Sequence, residues 1–66
     1  MYYRYQVKFR VKYSDCASWL TLYRDVAGSN EMDARMEAEQ KEAKNKKCEW
    51  VKAIEAIKLS ELPLPF

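Results

Sequence analysis

The sequence predicts an α+β fold: a single small ββαβ domain whose three-stranded, mainly antiparallel sheet has the order 2-1-3 and carries one helix on one face. Three observations lead there. Tyr3 to Tyr13 alternates apolar and polar residues without a slip, the period of a strand with one buried face. The only glycine, in Ala27-Gly28-Ser29-Asn30, separates a second strand-like run from a long stretch of helix formers. The last apolar run, Cys48 to Leu59, is rich in the β-branched and aromatic residues that favour pleated structure.

In the first strand, Tyr3, Tyr5, Val7, Phe9, Val11 and Tyr13 form the row that wants a core. The other row is Arg4, Gln6, Lys8, Arg10 and Lys12, which puts four positive charges and no negative one on the opposite face. Ser14 to Ser18 is small and polar and suits a hairpin loop. Trp19 to Val26 then returns antiparallel, with Leu20, Leu22 and Val26 as the favoured inward row and Trp19, Thr21, Tyr23 and Asp25 outside. The opposite register buries Trp19 and Tyr23 instead. The leucines and valine are cheaper to bury, because they bring no polar atom needing a partner.

Ala27 to Asn30 breaks that strand and supplies Ser and Asn oxygens to cap a helix. From Glu31 to about Lys47 the chain has no Gly, Pro or β-branched residue, with acids early and bases late, as the helix dipole favours. Met32, Met36 and Ala43 fall on one narrow stripe, which predicts a helix lying loosely on the sheet or sharing that side with a partner. In Cys48 to Leu59, Trp50, Val51, Ile54 and Ile57 fit a helical face as well as a strand; residue type favours the strand. A helix of about 16 residues and a strand of about eight are similar in length, so the helix returns the chain to the hairpin end. The third strand then pairs antiparallel with the first through a right-handed crossover.

The domain so defined covers residues 1–59. Residues 60–66 form an extended, proline-containing tail, because Pro63 and Pro65 can continue neither a helix nor a central strand. Leu62, Leu64 or Phe66 either folds back over the small core or serves as a docking peptide.

Composition narrows the function. At 66 residues there is no room for a core and a substrate cavity together. The chain has no histidine and only two cysteines, so it cannot complete a four-ligand zinc site without carboxylates or a second chain. No activating partner stands in sequence beside Cys16, a lysine or a carboxylate, and one glycine makes no phosphate-cradling loop. The expectation is therefore a protein that is not an enzyme, with no catalytic, cofactor or metal residues. No apolar run approaches the roughly 20 residues of a membrane span, and no signal peptide is read before the first strand, so the default expectation is a cytoplasmic site with Cys16 and Cys48 reduced. Those cysteines are expected at the same end of the molecule.

A candidate binding surface remains: Arg4, Lys8, Arg10 and Lys12 beside Trp19 and Tyr23 on the outer sheet face. Such a face can dock a larger protein, or can contact phosphates and stack bases. Equally, it can be a solvated face whose long cationic stems cover the rings. The exposed edge of the second or third strand predicts a homodimer. In layout, the hairpin, the capped Glu/Ala/Lys-rich helix and a third strand with Trp50-Val51 and Ile54 to Leu59 resemble the small ββαβ proteins of bacteriophages and mobile elements, some of them anti-CRISPR or other host-directed inhibitors. The resemblance spans residues 2–59 and implies a small binder that works by occupying a surface. It carries no functional residue over. Many such inhibitors that mimic nucleic acid are acidic, and the net charge of +2 here disfavours that mode.

Overall fold

Strict alternation over eleven residues gives the opening strand one face to bury, and its two edges are both paired. In the computed structural model, which describes residues 1–65, β1 (Tyr3–Tyr13) lies between β2 (Leu20–Gly28) and β3 (Cys48–Lys58), and α1 (Glu31–Ala43) covers one face. The order is β2-β1-β3 and both pairings are antiparallel, as the sequence predicts. The strand reading of the last segment therefore holds over its helical alternative.

The core is the odd row of β1. Tyr5, Val7, Phe9 and Val11 are buried, together with Val26, Ala34, Ala38, Ala53 and Ala56. Register places Leu22 and Val26 of β2 opposite Phe9 and Tyr5, so the favoured inward row is the observed one, although Leu20 opposite Val11 is still exposed. Four of the nine buried apolar residues are alanines. Their small side chains let the helix approach the sheet closely, so the core is thin and tightly filled.

The helix packs differently from the predicted stripe. Ala34, Ala38 and Glu42 are its buried residues, whereas Met32 and Met36 are exposed and Ala43 faces solvent. Spacing by four puts 34, 38 and 42 on one line, and the methionines lie away from that line because their bulk would hold the helix off the sheet. Asn30 is the N-cap, accepting the Asp33 N–H at 2.8 Å, while Asp33 accepts from the Ser29 N–H at 2.9 Å. At the other end the helix stops at Ala43, four residues earlier than predicted. Asn45 turns the chain there: its N–H reaches the Glu42 carbonyl, and its side chain accepts the Lys47 N–H at 3.0 Å.

Gly28 belongs to β2 rather than breaking it. Its backbone needs no left-handed conformation. A Cβ there would sit 2.9 Å from the Ala34 nitrogen, so glycine is required by the close passage of the helix start over the strand end. β3 carries two irregularities against β1, one between the Lys8 and Phe9 pairings and one between those of Lys12 and Tyr13. Ile54 and Glu49 are the extra residues, each a β-bulge that shifts the in–out alternation by one.

The hairpin and the start of β3 share one end of the molecule. The Ser14 N–H donates to the Lys47 carbonyl at 2.7 Å, the Cys16 N–H to the Tyr13 carbonyl, and Tyr13 pairs with Cys48. Both cysteines are free thiols, half-buried. The tail returns beside the start of β1, where the Leu64 N–H donates to the Tyr2 carbonyl at 2.7 Å. The tail thus turns back along Tyr2, but Leu64 is not among the side chains packed on the core, Leu62 is exposed, and Phe66 lies outside the described residues. No helix among the described residues is long and apolar enough to cross a membrane.

Candidate functional site

The pleat fixes which side chains share the outer face. Cross-strand partners set Arg10 between Thr21 and Lys52, Lys8 between Tyr23 and Glu55, and Lys12 beside Trp50. Trp19 sits just before β2, at the same end as Trp50. Their indole rings meet edge to face over the central strand, centroids 4.5 Å apart at 89°, a favoured aromatic geometry. The guanidinium of Arg10 lies 5.7 Å from the Trp19 ring centroid, within cation–π range. Lys12 pairs with Glu49 at 3.0 Å. Trp19 and Trp50 nevertheless remain 41% and 47% exposed.

The six predicted surface residues therefore divide. Arg10, Lys12 and Trp19 gather at the hairpin end, Lys8 and Tyr23 stand next to each other in the middle, and Arg4 lies opposite Ala27 at the far end. At about 3.3 Å per residue, Arg4 is roughly 20 Å from Arg10. Trp50, Lys52 and Ile54 join the cluster without having been expected. Both bulges fall in β3, so simple alternation could not assign its outward residues. An open groove of about 710 Å³ runs from Arg10, Trp19 and Trp50 past Lys52 and Ile54 to Arg35 of the helix, and its lining is mainly apolar.

The inner face hides a second group that the sequence reading passed over. Glu42, 4% exposed, accepts hydrogen bonds from the Tyr13 hydroxyl and from Arg24 Nη2, the latter at 2.8 Å. Arg24 has the parity of Leu22 and Val26, which was the available signal that it points inward. Its Nε is buried without a hydrogen-bond partner among the described residues. The bond to Glu42, then burial and the carboxylate's charge, push the Tyr13 hydroxyl up to about 12. Burial, reinforced by the charge of Glu42, also raises the Cys48 thiol. At the hairpin end Lys47, 3.1 Å from Asp15, holds that carboxyl below its ordinary value.

No three His, Cys, Asp or Glu side chains among the described residues stand together as a metal site. The Tyr13–Glu42–Arg24 group joins three elements through the two bonds that Glu42 accepts, and ties the helix end to the sheet. The outer cluster has exposed rings, exposed cations and a groove beside them. Compared with known protein families, curated proteins and solved structures, the chain gives no match.

Proposed function

We propose that the protein is a non-enzymatic binding module that occupies a surface of a larger protein through the outer face of its sheet, at the hairpin end. The observation that carries this reading is the Trp19–Trp50 pair held over the central strand with Arg10 against it, exposed and flanked by a groove. Tryptophan and arginine are enriched among the residues that dominate interface energetics, tryptophan through a large rigid contact area and arginine through its planar set of donors. Arg10, which has no ion-pair partner among the described residues, favours a partner that brings a carboxylate to the tryptophan pair. By the likeness in layout to phage-encoded inhibitors, the partner would be a host protein whose working surface is blocked.

The nucleic-acid reading is weaker for a geometric reason. Base stacking needs a free ring face, and here the two indoles meet each other while Arg10 lies over Trp19. Lys12 is already paired with Glu49, and Lys8 stands opposite Glu55. Affinity capture with the wild type, Arg10→Glu, Trp19→Ala and a helix-surface variant, Met36→Gln, tests the proposal. A stoichiometric protein kept by the wild type and by Met36→Gln but lost by the two outer-face variants is expected. A partner indifferent to Arg10 and Trp19 would overturn the assignment of the surface. Binding to an oligonucleotide that weakens steeply from low to high salt would replace it with the nucleic-acid reading.

A further inference from the structure

We infer that the free edge of β3 pairs with β3 of a second copy of this chain, antiparallel about a two-fold axis through the bulge at Ile54, to form a continuous six-stranded sheet. Two-fold pairing of identical strands about an axis perpendicular to the sheet keeps each side chain on its own face. In a regular strand, only residues an even number of places apart can then stand opposite each other. The bulge at Ile54 changes that rule. Trp50 and Lys52 before it, and Glu55 and Ile57 after it, all project from the outer face, while Val51 and Ala56 project inward.

Centring the axis between Ala53 and Ile54 matches Trp50 with Ile57, Val51 with Ala56 and Lys52 with Glu55, each on its correct face and each occurring twice. Apolar meets apolar and cation meets anion. Moving the register by two places sets Lys52 against Ile57 and Val51 against Lys58, which loses both. Within the protomer, Lys52 and Glu55 have no ion-pair partner among the described residues. Trp50 and Ile57 are left 47% and 52% exposed. These four side chains are what a cross-strand neighbour would satisfy.

A bulge on an edge strand ordinarily discourages pairing by bending the strand. Here the two bulges fall at the axis, so each copy carries the same bend at the same place and the flanks stay in step. The other edge lacks this property. β2 is regular, and its only charges, Arg24 and Asp25, point to opposite faces, so no two-fold register can pair them.

Sedimentation analysis across a concentration series, with charge reversals at exposed positions that leave the core intact, tests the inference. The wild type is expected to dimerise. Lys52→Glu alone and Glu55→Lys alone each replace two attractive pairs with two repulsive ones, and should weaken self-association on the order of tenfold or more. The double variant Lys52→Glu/Glu55→Lys restores opposite charges across the axis and should recover the dimer. Mixing the two single variants should give a heterodimer, since every 52–55 contact is then attractive. A wild type that stays monomeric at the highest concentration reachable would overturn the inference. So would a dimer unaffected by the single reversals, or single variants that fail to associate when mixed while circular dichroism shows both folded.

Discussion

The two faces of β1 are built from alternate residues of the same eleven, and they hold their neighbours in opposite ways. On the inner face Val7, Phe9 and Val11 lie against alanines of the helix and of β3, where little space remains and each atom has close neighbours. On the outer face Lys8, Arg10 and Lys12 share their surroundings with tyrosine, tryptophan and water. The inner face fixes the fold, and the outer face is open to change. The contrast teaches that a domain this small can keep its packed residues apart from its exposed aromatic and cationic ones by parity alone.

Phe9→Ala should break the inner face outright. Emptying the largest fully buried site costs about 3–5 kcal/mol, while a domain of this size holds only about 3–10 kcal/mol in all. Chemical denaturation should show loss of most or all of the folding transition. A variant that unfolds at the wild-type midpoint would mean the core is not where the packing places it.

Glu42→Ala tests the polar part of the same face. It leaves the Arg24 guanidinium and the Tyr13 hydroxyl without their shared acceptor. Because Arg24 is part-exposed and can rehydrate, the expected loss is about 1–3 kcal/mol rather than the larger value for a fully buried pair. Thermal melts of this variant and of Arg24→Met, which removes the charge that needs pairing, separate the two contributions.

Alkaline pH probes that group without mutation. Tyr13 ionises at about 12 in the folded chain instead of 10.0, so the unfolded chain gives up its proton first. Its contribution to stability is complete below pH 10 and is lost as pH rises toward 12. The raised Cys48 thiol acts in the same direction. Phenolate absorbance should show a step near pH 12 from Tyr13, with the melting temperature falling as that pH is approached. In Glu42→Gln that step should move to lower pH.

The smallest effect belongs to the outer face. Tyr23→Ser, at an exposed position away from the tryptophan pair, should change stability by no more than about 0.5 kcal/mol. A large loss would show that the outer face also carries the fold, and the contrast between the faces would fail.

Particular residues show how far the sequence could be read. The period of two in β1, the Asn30 cap and the return of the helix to the hairpin end are local signals, and together they determine the strand order. Ala34 and Ala38 were not assigned to the packed side of the helix, because alanine is both a helix former and a spacer for close packing, and only the packed structure distinguishes the two uses. Arg24 was passed over although its parity was inward, since the partner that makes burial tolerable, Glu42, lies on another element. Trp50 and Lys52 were illegible for a different reason. Bulges at Glu49 and Ile54 leave no mark in residue type, so the outer half of the candidate site could not be assigned from alternation.

The central position of β1 also sets the order of events in folding. Its contacts with β2 join residues close along the chain, as between Val11 and Leu20, whereas Tyr5 meets Lys58 from almost the whole length away. Hairpins close within microseconds, but pairings between distant segments must first bear the entropy of a long loop. During synthesis the hairpin is available early, and one edge of its most apolar strand stays uncovered until residues beyond Cys48 have emerged. For that interval the nascent chain presents Val7, Phe9 and Val11 beside an unpaired backbone, the condition under which chaperone binding or misassociation competes with folding.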